Sequence, residues 1–294
     1  KKISFVGCPD SDYNSFILKE RNPKLLELIL DYLNDHVDWD YLELKDISET
    51  STSMHLLRRV LLERRYKYRE EKQGTLCPFV PLPNSMDVFM KGLGKNMRQN
   101  LRRYSRKLER EYRVEFKKFD EIGSVEEAME TFFQLHQKRW ESKGDVGAFS
   151  KPLLRNFHID IAKCFAEKGW LRLYFLTAND KPISTHYSFE YNQKVYNYLG
   201  GWDPEYARYI VGNLFMMHDI EKCIQKGLRE YDLLRDTKPE PYKTRWTTKA
   251  RKNIEVRFVR KGLFPRIYGW LIKRGKINKA YALLLSTVPA LGEG

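Results

Sequence analysis

A chain of 294 residues, 42% hydrophobic and 14% aromatic, carries apolar mass for one large or two modest domains, which excludes wholesale disorder. Its 53 basic and 39 acidic residues leave a formal charge of +14, which favours anionic partners (phosphate-bearing cofactors, nucleic acid, anionic lipid, cell-wall polymer) without choosing among them. Cys8, Cys77, Cys164 and Cys223 are far apart with no C-x-x-C, no run of 18 apolar residues exists and no signal peptide is visible, so the expectation is a cytoplasmic chain with no metal, no disulfide framework and no transmembrane segment.

The first residues read as a strand, and because they start at Lys1 an upstream segment is expected. Asn22-Pro23 then opens a helix to about His36, with Asn as the cap and Pro at the first helical position. Trp39 to Ile47 alternates as a strand, Ser53 to Tyr66 reads as a helix, and Thr75 to Leu82 as a strand. Met97, Leu101, Tyr104, Leu108 and Tyr112 line one face of a long helix whose other face is basic: Lys95, Arg98, Arg102, Arg103, Arg106, Lys107 and Arg110, with Arg113 just beyond. Ser124 and Glu127 form a capping box before a helix that reaches about Lys143, and residues 151–168 form another.

The texture then changes. Trp170–Ala178, Pro182–Tyr191 and Lys194–Trp202 are three strands joined by Asn179-Asp180-Lys181 and Asn192-Gln193, an antiparallel meander. A helix over 211–226, ended by Gly227, leads to a strand over 229–235, a short segment at 241–247, a strand Ile254–Val259 and a helical C-terminal stretch. Where the meander gives way to the helix, Val211-Gly212-Asn213 sets a glycine at a helix start after a strand. Several backbone N–H groups there point forward at one small volume, and with the positive helix end they suit a pyrophosphate. Many plain α/β proteins share this order, so a simple helix start stays open beside the phosphate site.

A faint internal repeat runs through the chain. Phe5-Val6-Gly7-Cys8-Pro9-Asp10 resembles Tyr198-Leu199-Gly200-Gly201-Trp202-Asp203, and Trp39-Asp40-Tyr41-Leu42-Glu43-Leu44 parallels Glu230-Tyr231-Asp232-Leu233-Leu234-Arg235. The reading is two copies of one α/β unit with mixed, largely antiparallel sheets flanked by helices. Residues 1–82 form a degenerate, N-terminally truncated copy, residues 83–262 the intact one, and residues 263–294 a helical extension. In the first copy Glu20-Arg21-Asn22-Pro23 replaces Ile-Val-Gly-Asn, so Pro23 removes a donor and Glu20 repels phosphate.

The runs Gly92–Glu111, Phe132–Trp140, Tyr196–Leu214 and Tyr231–Trp246 resemble the CelD-like branch of the GNAT acyltransferase superfamily, a branch related to the tandem-GNAT Fem-type aminoacyltransferases. The resemblance implies transfer of an acyl group, acetyl in the simplest case, from acyl-coenzyme A to an amine through direct attack in a ternary complex. It implies a pantetheine arm along 194–202, a pyrophosphate on the amides of Tyr209, Ile210, Val211, Gly212 and Asn213, and Tyr242 as the acid for the departing thiolate. The segment "RDTKPEPYK" departs from the family's shorter link, which bears on Asp236 and Glu240.

Each candidate has a plainer alternative. His186, within Ser-Thr-His-Tyr-Ser, is a base or a buried, hydrogen-bonded histidine. Asp203, before Pro204, is a base or a turn cap. Tyr242 is an acid or a core-edge aromatic. His136, Arg139 and Trp140 share one helix face at i, i+3 and i+4, which meets an anionic acceptor or forms a structural pair under an aromatic lid. Arg235 and Lys243 complete the acceptor-binding candidates. The rival enzymatic reading is a Fem-type transfer from aminoacyl-tRNA. The rival from another class is a non-catalytic basic module for nucleic acid or anionic polymer. Lys273, Arg274 and Lys276 beside Trp270 and Leu271 suit a peripheral membrane contact or packing on their own domain.

Overall fold

In the computed structural model the described residues are 1–71, 74–235 and 241–260. In chain order the elements are β1 (Lys2–Ile3), α1 (Pro23–His36), β2 (Tyr41–Ser48), α2 (Thr52–Glu63), β3 (Tyr68–Glu70), β4 (Thr75–Pro81), α3 (Met86–Gly92) and α4 (Lys95–Glu111). After these come β5 (Val114–Lys118), α5 (Val125–Glu141), α6 (Pro152–Glu167), β6 (Leu171–Ala178), β7 (Lys181–Tyr191), β8 (Lys194–Trp202), α7 (Val211–Gln225), β9 (Glu230–Asp232), α8 (Pro241–Thr244) and β10 (Ala250–Val259). The caps act as their sequences dictate: Asn22 Oδ1 accepts the Lys24 amide, and Ser124 and Glu127 satisfy each other's backbone N–H groups. Sequence reading passed over β3, α3 and β5, which are too short to show a period. It also made β9 too long. Leu234, at φ 55, ends the strand while its amide turns back to Asp232 Oδ1 at 2.8 Å.

The chain divides into two compact units, Lys1–Cys77 with the strand segment from Arg251, and Pro78–Ala250. In the first, β1 runs parallel to β2, with Lys2 opposite Tyr41, and β10 runs antiparallel to both β2 and β3. The strand 254–259, which the sequence groups with the second copy, thus pairs within the first unit. Its core joins Leu26 and Leu30 of α1 and Leu57, Val60 and Leu61 of α2 to Trp39, Leu42, Ile47, Val256 and Phe258.

The second unit is a mixed sheet in the order β4-β9-β8-β7-β6-β5, antiparallel except where β8 and β9 run parallel. One face is covered by α4 and α7, through Leu101, Leu108, Leu214, Phe215 and Ile220 over Leu176, Val195 and Tyr231. The other is covered by α5 and α6, through Met129, Phe132, Phe133 and Ala162 over Leu173, Phe175 and Tyr187. Alternation along β6 and β7 sends successive side chains to the two layers. In each unit a helix links two parallel strands, β1-α1-β2 in one and β8-α7-β9 in the other. The expected C-terminal extension, residues 263–294, with its membrane-facing candidates, lies outside the described residues. Among the described residues no helix is long and apolar enough to cross a membrane.

Candidate functional site

The site is built on the C-terminal half of β8. Parallel pairing with β9 extends only from Lys194↔Glu230 to Tyr196↔Asp232, whereas β8 continues to Trp202. On the other side, Tyr187 lies opposite Leu199 and Ser188 opposite Asn197, so Tyr198 is an extra residue. A bulge of this kind bends a strand and increases its twist. From Asn197 to Trp202 β8 therefore runs on without a paired residue of β9.

At the end of that stretch Asp203 caps a 3₁₀ turn (Pro204–Tyr209), and Ile210, at φ 51, redirects the chain into α7. No side chain caps α7. The amide of Ile210 is taken by Ala207, and that of Asn213 by the Ile210 carbonyl at 2.8 Å. Of the five amides expected to bind a pyrophosphate, those of Val211 and Gly212 stand at the first-turn positions that have no carbonyl four residues back. Gly212 has no positive φ, and a Cβ built on it would meet nothing nearer than Trp202 Cδ1 at 3.6 Å. Neither backbone conformation nor internal packing requires glycine here. By contrast, α1 begins with a proline and an Asn22 side chain that already occupies the Lys24 amide.

Gly200 and Gly201 bring two layers onto β8. A Cβ on Gly201 would lie 2.6 Å from the Leu135 carbonyl carbon and clash with the His136 amide, so α5 packs directly on the strand backbone. The three face-sharing candidates of α5 converge here. Trp140 Nε1–H donates to His136 Nε2 at 2.9 Å, and the Arg139 guanidinium lies 5.7 Å from the Trp140 ring centroid. Arg139 Nη1 donates to the Gly200 carbonyl at 3.0 Å, while its Nε is buried without a partner. His136 is buried, and burial, assisted by the Arg139 charge, pulls its pKa down to about 4, so it is neutral and serves to anchor Trp140.

On the opposite face, His186 lies across from Gly200, against the Phe215 ring at 4.4 Å. Burial lowers its pKa to about 4. Its Nδ1 is 3.4 Å from the Tyr231 hydroxyl, which donates to Asp219 Oδ2 at 2.7 Å. Asp219 in turn accepts from Arg172 Nε at 3.0 Å and Nη2 at 2.6 Å. Sequence reading did not pick out Arg172 or Asp219. The signal was present: Phe215, Asp219 and Cys223 repeat every four residues, which sets a carboxylate on the apolar face of α7. Asp203 differs in kind. Burial alone would raise its carboxyl, but Lys138 Nζ at 2.7 Å, the Glu205 amide and the Lys181 charge outweigh that and hold it below the usual range. A carboxylate held by two lysines and capping a turn is a poor proton acceptor near neutral pH.

Tyr242 sits on α8, half-buried against the α4–α7 core, and Trp246 just beyond stacks on Phe89 of α3 with centroids 6.3 Å apart. Lys243 is buried, with Nζ on the carbonyls of Leu234 at 3.3 Å and Arg235 at 2.7 Å, so it holds the turn after β9. Arg235 belongs to that turn; Asp236 and Glu240 lie outside the described residues. The C-terminal end of α4 reaches the loop before α7, where Glu111 accepts from the buried Tyr209 hydroxyl and Lys107 lies 5.3 Å from the Tyr209 ring centroid. Lys95, Arg102, Arg106 and Arg110 are exposed, and none pairs with a carboxylate among the described residues. No group of three His, Cys, Asp or Glu side chains among the described residues could hold a metal ion.

A family model described as an acetyltransferase (GNAT) domain matches residues 95–244. Among solved structures the fold is similar to FemX, at 11% identity and a TM-score of 0.59, covering 86% of this chain and 79% of that one. It is also similar to the C-terminal domain of a putative lysylphosphatidylglycerol synthetase from Agrobacterium fabrum, at 12% identity and a TM-score of 0.54, covering 84% and 75%. The structure of L-PGS from Bacillus licheniformis matches at 11% identity and a TM-score of 0.54, covering 86% and 77%. At these identities the likeness is one of fold. None of the curated proteins compared matches the sequence.

Proposed function

The chain belongs to the GNAT acetyltransferase family, and from that premise we propose that it moves an acyl group, acetyl in the simplest case, from acyl-coenzyme A to an amine by direct attack in a ternary complex. The observation that carries this reading is the start of α7. It is uncapped, it follows the stretch of β8 that leaves β9, and it holds a glycine that the protein's own packing does not require. Glycine costs a helix interior about 1 kcal/mol relative to alanine, so a position that tolerates a Cβ yet lacks one is accounted for by an external group approaching the backbone. The pyrophosphate takes the Val211 and Gly212 amides within the loop Tyr209–Asn213, and the pantetheine arm lies along Asn197–Trp202.

Arg139 and Trp140 bound the acceptor side, His186 takes the amine proton and Tyr242 protonates the departing thiolate. The roles of Asp203 and His136 are to cap the turn and to anchor Trp140, which suits their partners. The first unit is a degenerate copy without a donor, because Pro23 and Asn22 remove the amides that α7 keeps. Among the described residues Cys8, Cys77, Cys164 and Cys223 form no disulfide, which suits a reducing, cytoplasmic setting.

A second reading, an aminoacyl-tRNA donor, is favoured by Lys95, Arg102, Arg106 and Arg110 of α4, which pair with no carboxylate among the described residues, and by the contact of that helix with Tyr209. Immobilised coenzyme A separates the two. Retention that free coenzyme A reverses supports acyl-coenzyme A. Salt-sensitive retention on tRNA without coenzyme A binding supports the second reading, or a basic binding module if no transfer from aminoacyl-tRNA follows.

A further inference from the structure

Three buried groups behind His186 form one directed chain from β6, α7 and β9 to the strand β7 that carries the imidazole. Arg172 of β6, 4% exposed, binds Asp219 of α7, 1% exposed, through Nε and Nη2. The other oxygen of that carboxylate, Oδ2, accepts the hydroxyl proton of the fully buried Tyr231 on β9 at 2.7 Å. A phenol has one proton to give. With that proton committed to Asp219, the Tyr231 oxygen can only accept from His186, whose Nδ1 lies 3.4 Å away. Nδ1 must therefore carry the hydrogen, and Nε2 keeps its lone pair. Nε2 is the ring nitrogen over Gly200, where a Cβ would come within 3.0 Å of it, on the part of β8 that has left β9. Among the described residues no hydrogen-bond partner meets Nε2.

We propose that Tyr231 and Asp219 are positioning residues, which fix the tautomer of His186 so that its Nε2 faces the reaction on β8 as the proton acceptor. This rests on the acyl-transfer reading above. The acceptor nitrogen forms the C–N bond as the thioester C–S bond breaks. Its proton passes to His186 Nε2, and the thiolate takes a proton from the Tyr242 hydroxyl. The imidazolium then returns its proton to the tyrosinate, so the net reaction is amine plus thioester to amide plus thiol. While charged, the imidazolium is stabilised through Tyr231 by the Asp219 carboxylate, which Arg172 binds from its other oxygen. The surroundings are mixed in sign: Asp219 of α7 favours the charged ring, while burial and Arg139 of α5 oppose it. Tyr174 of β6 lies across from His186, and Glu190 of β7 binds Arg172 Nη1 at 3.3 Å. Burial prevails, so the ring is neutral near pH 7 and its Nε2 lone pair is unprotonated.

The test reads the tautomer directly, by long-range proton–nitrogen NMR of the full chain labelled with ¹⁵N-histidine at pH 7, with His186 assigned from the spectrum of His186→Gln. The wild type is expected to show His186 as a single Nδ1–H tautomer, and Tyr231→Phe to release it to a mixture. An Nε2–H tautomer in the wild type, or an unchanged tautomer in Tyr231→Phe, overturns the proposal. Should Tyr231→Phe fail to fold, the wild-type tautomer and the Asp219→Asn spectrum decide in the same way. With acetyl-coenzyme A as the probe and thiol release as the signal, Tyr231→Phe should lower kcat about 10-fold or more with KM within about two-fold. Equal kcat values would overturn the positioning role. The NMR result does not depend on the donor, so a wild type that binds no coenzyme A removes the acyl-transfer reading separately.

Discussion

Two glycines 11 positions apart, Gly201 and Gly212, are present for opposite reasons. Gly201 lies under the backbone of α5, which cannot move aside for a Cβ, so Gly201→Ala is expected to destabilise the fold by about 2–3 kcal/mol, the usual scale of overpacking. At Gly212 the nearest atom to a new Cβ is at 3.6 Å, so Gly212→Ala should leave stability equal or slightly higher. Urea titrations of both variants check the contrast, and equal losses would contradict it. Tyr242 is a third residue whose role is separable. Tyr242→Phe keeps the ring against the core and removes only the hydroxyl, so donor affinity should hold while turnover falls on the order of 100-fold. Equal turnover with a true acceptor would remove Tyr242 from the mechanism.

Among the elements, α4 and α7 show how differently charge is used on one sheet face. Arg102, Arg106 and Arg110 of α4 are exposed: replacing all three by Gln should change unfolding free energy by no more than about 0.5 kcal/mol per site, because none of them pairs with a carboxylate among the described residues. The Arg172–Asp219 pair that joins β6 to α7 is buried. Arg172→Met strands a carboxylate and should cost about 3–5 kcal/mol. Thermal or urea unfolding of the two variants should therefore separate widely; similar shifts would refute the assignment. The amphipathic face of α4, the cap of α1 and the capping box of α5 were legible because each has a local cause in a few neighbouring residues. The destination of β10 was not, since its pairing with Tyr41–Ser48 joins segments some 200 residues apart and leaves no local mark. The site divides along the same line. The helix start at Val211-Gly212 could be read from order alone. The Asp219–Tyr231–His186 chain needed three elements brought together by the sheet, though the lone carboxylate on the apolar face of α7 gave a hint of it.

At the scale of the whole molecule, the neutral buried histidines make stability depend on pH. His136 has a folded pKa of about 4, below the ordinary 6.5 that it regains on unfolding. As pH falls through 6.5 the unfolded chain takes up a proton and the folded one does not, so stability falls from about pH 6.5 to about pH 4 and is level above. The His136 share is about 3 kcal/mol. His186 adds in the same direction. Asp203, whose folded pKa is lowered, contributes stability that is lost only at still lower pH. Urea midpoints at pH 7.5, 6.5, 5.5 and 4.5 should be level between the first two and then drop, and His136→Asn should flatten the slope; a pH-independent midpoint would contradict the buried, neutral state. The central claim is narrower: that the uncapped start of α7 holds the phosphates of an acyl-coenzyme A. Calorimetry of acetyl-coenzyme A against the wild type and Gly212→Asp tests it most directly, since the aspartate sets a negative charge among the Val211 and Gly212 amides without forcing a clash in the free protein. The account predicts one donor bound per wild-type chain and at least a ten-fold loss of affinity in the folded variant. No binding by the wild type, two donors per chain, or equal affinity in a folded Gly212→Asp would contradict it.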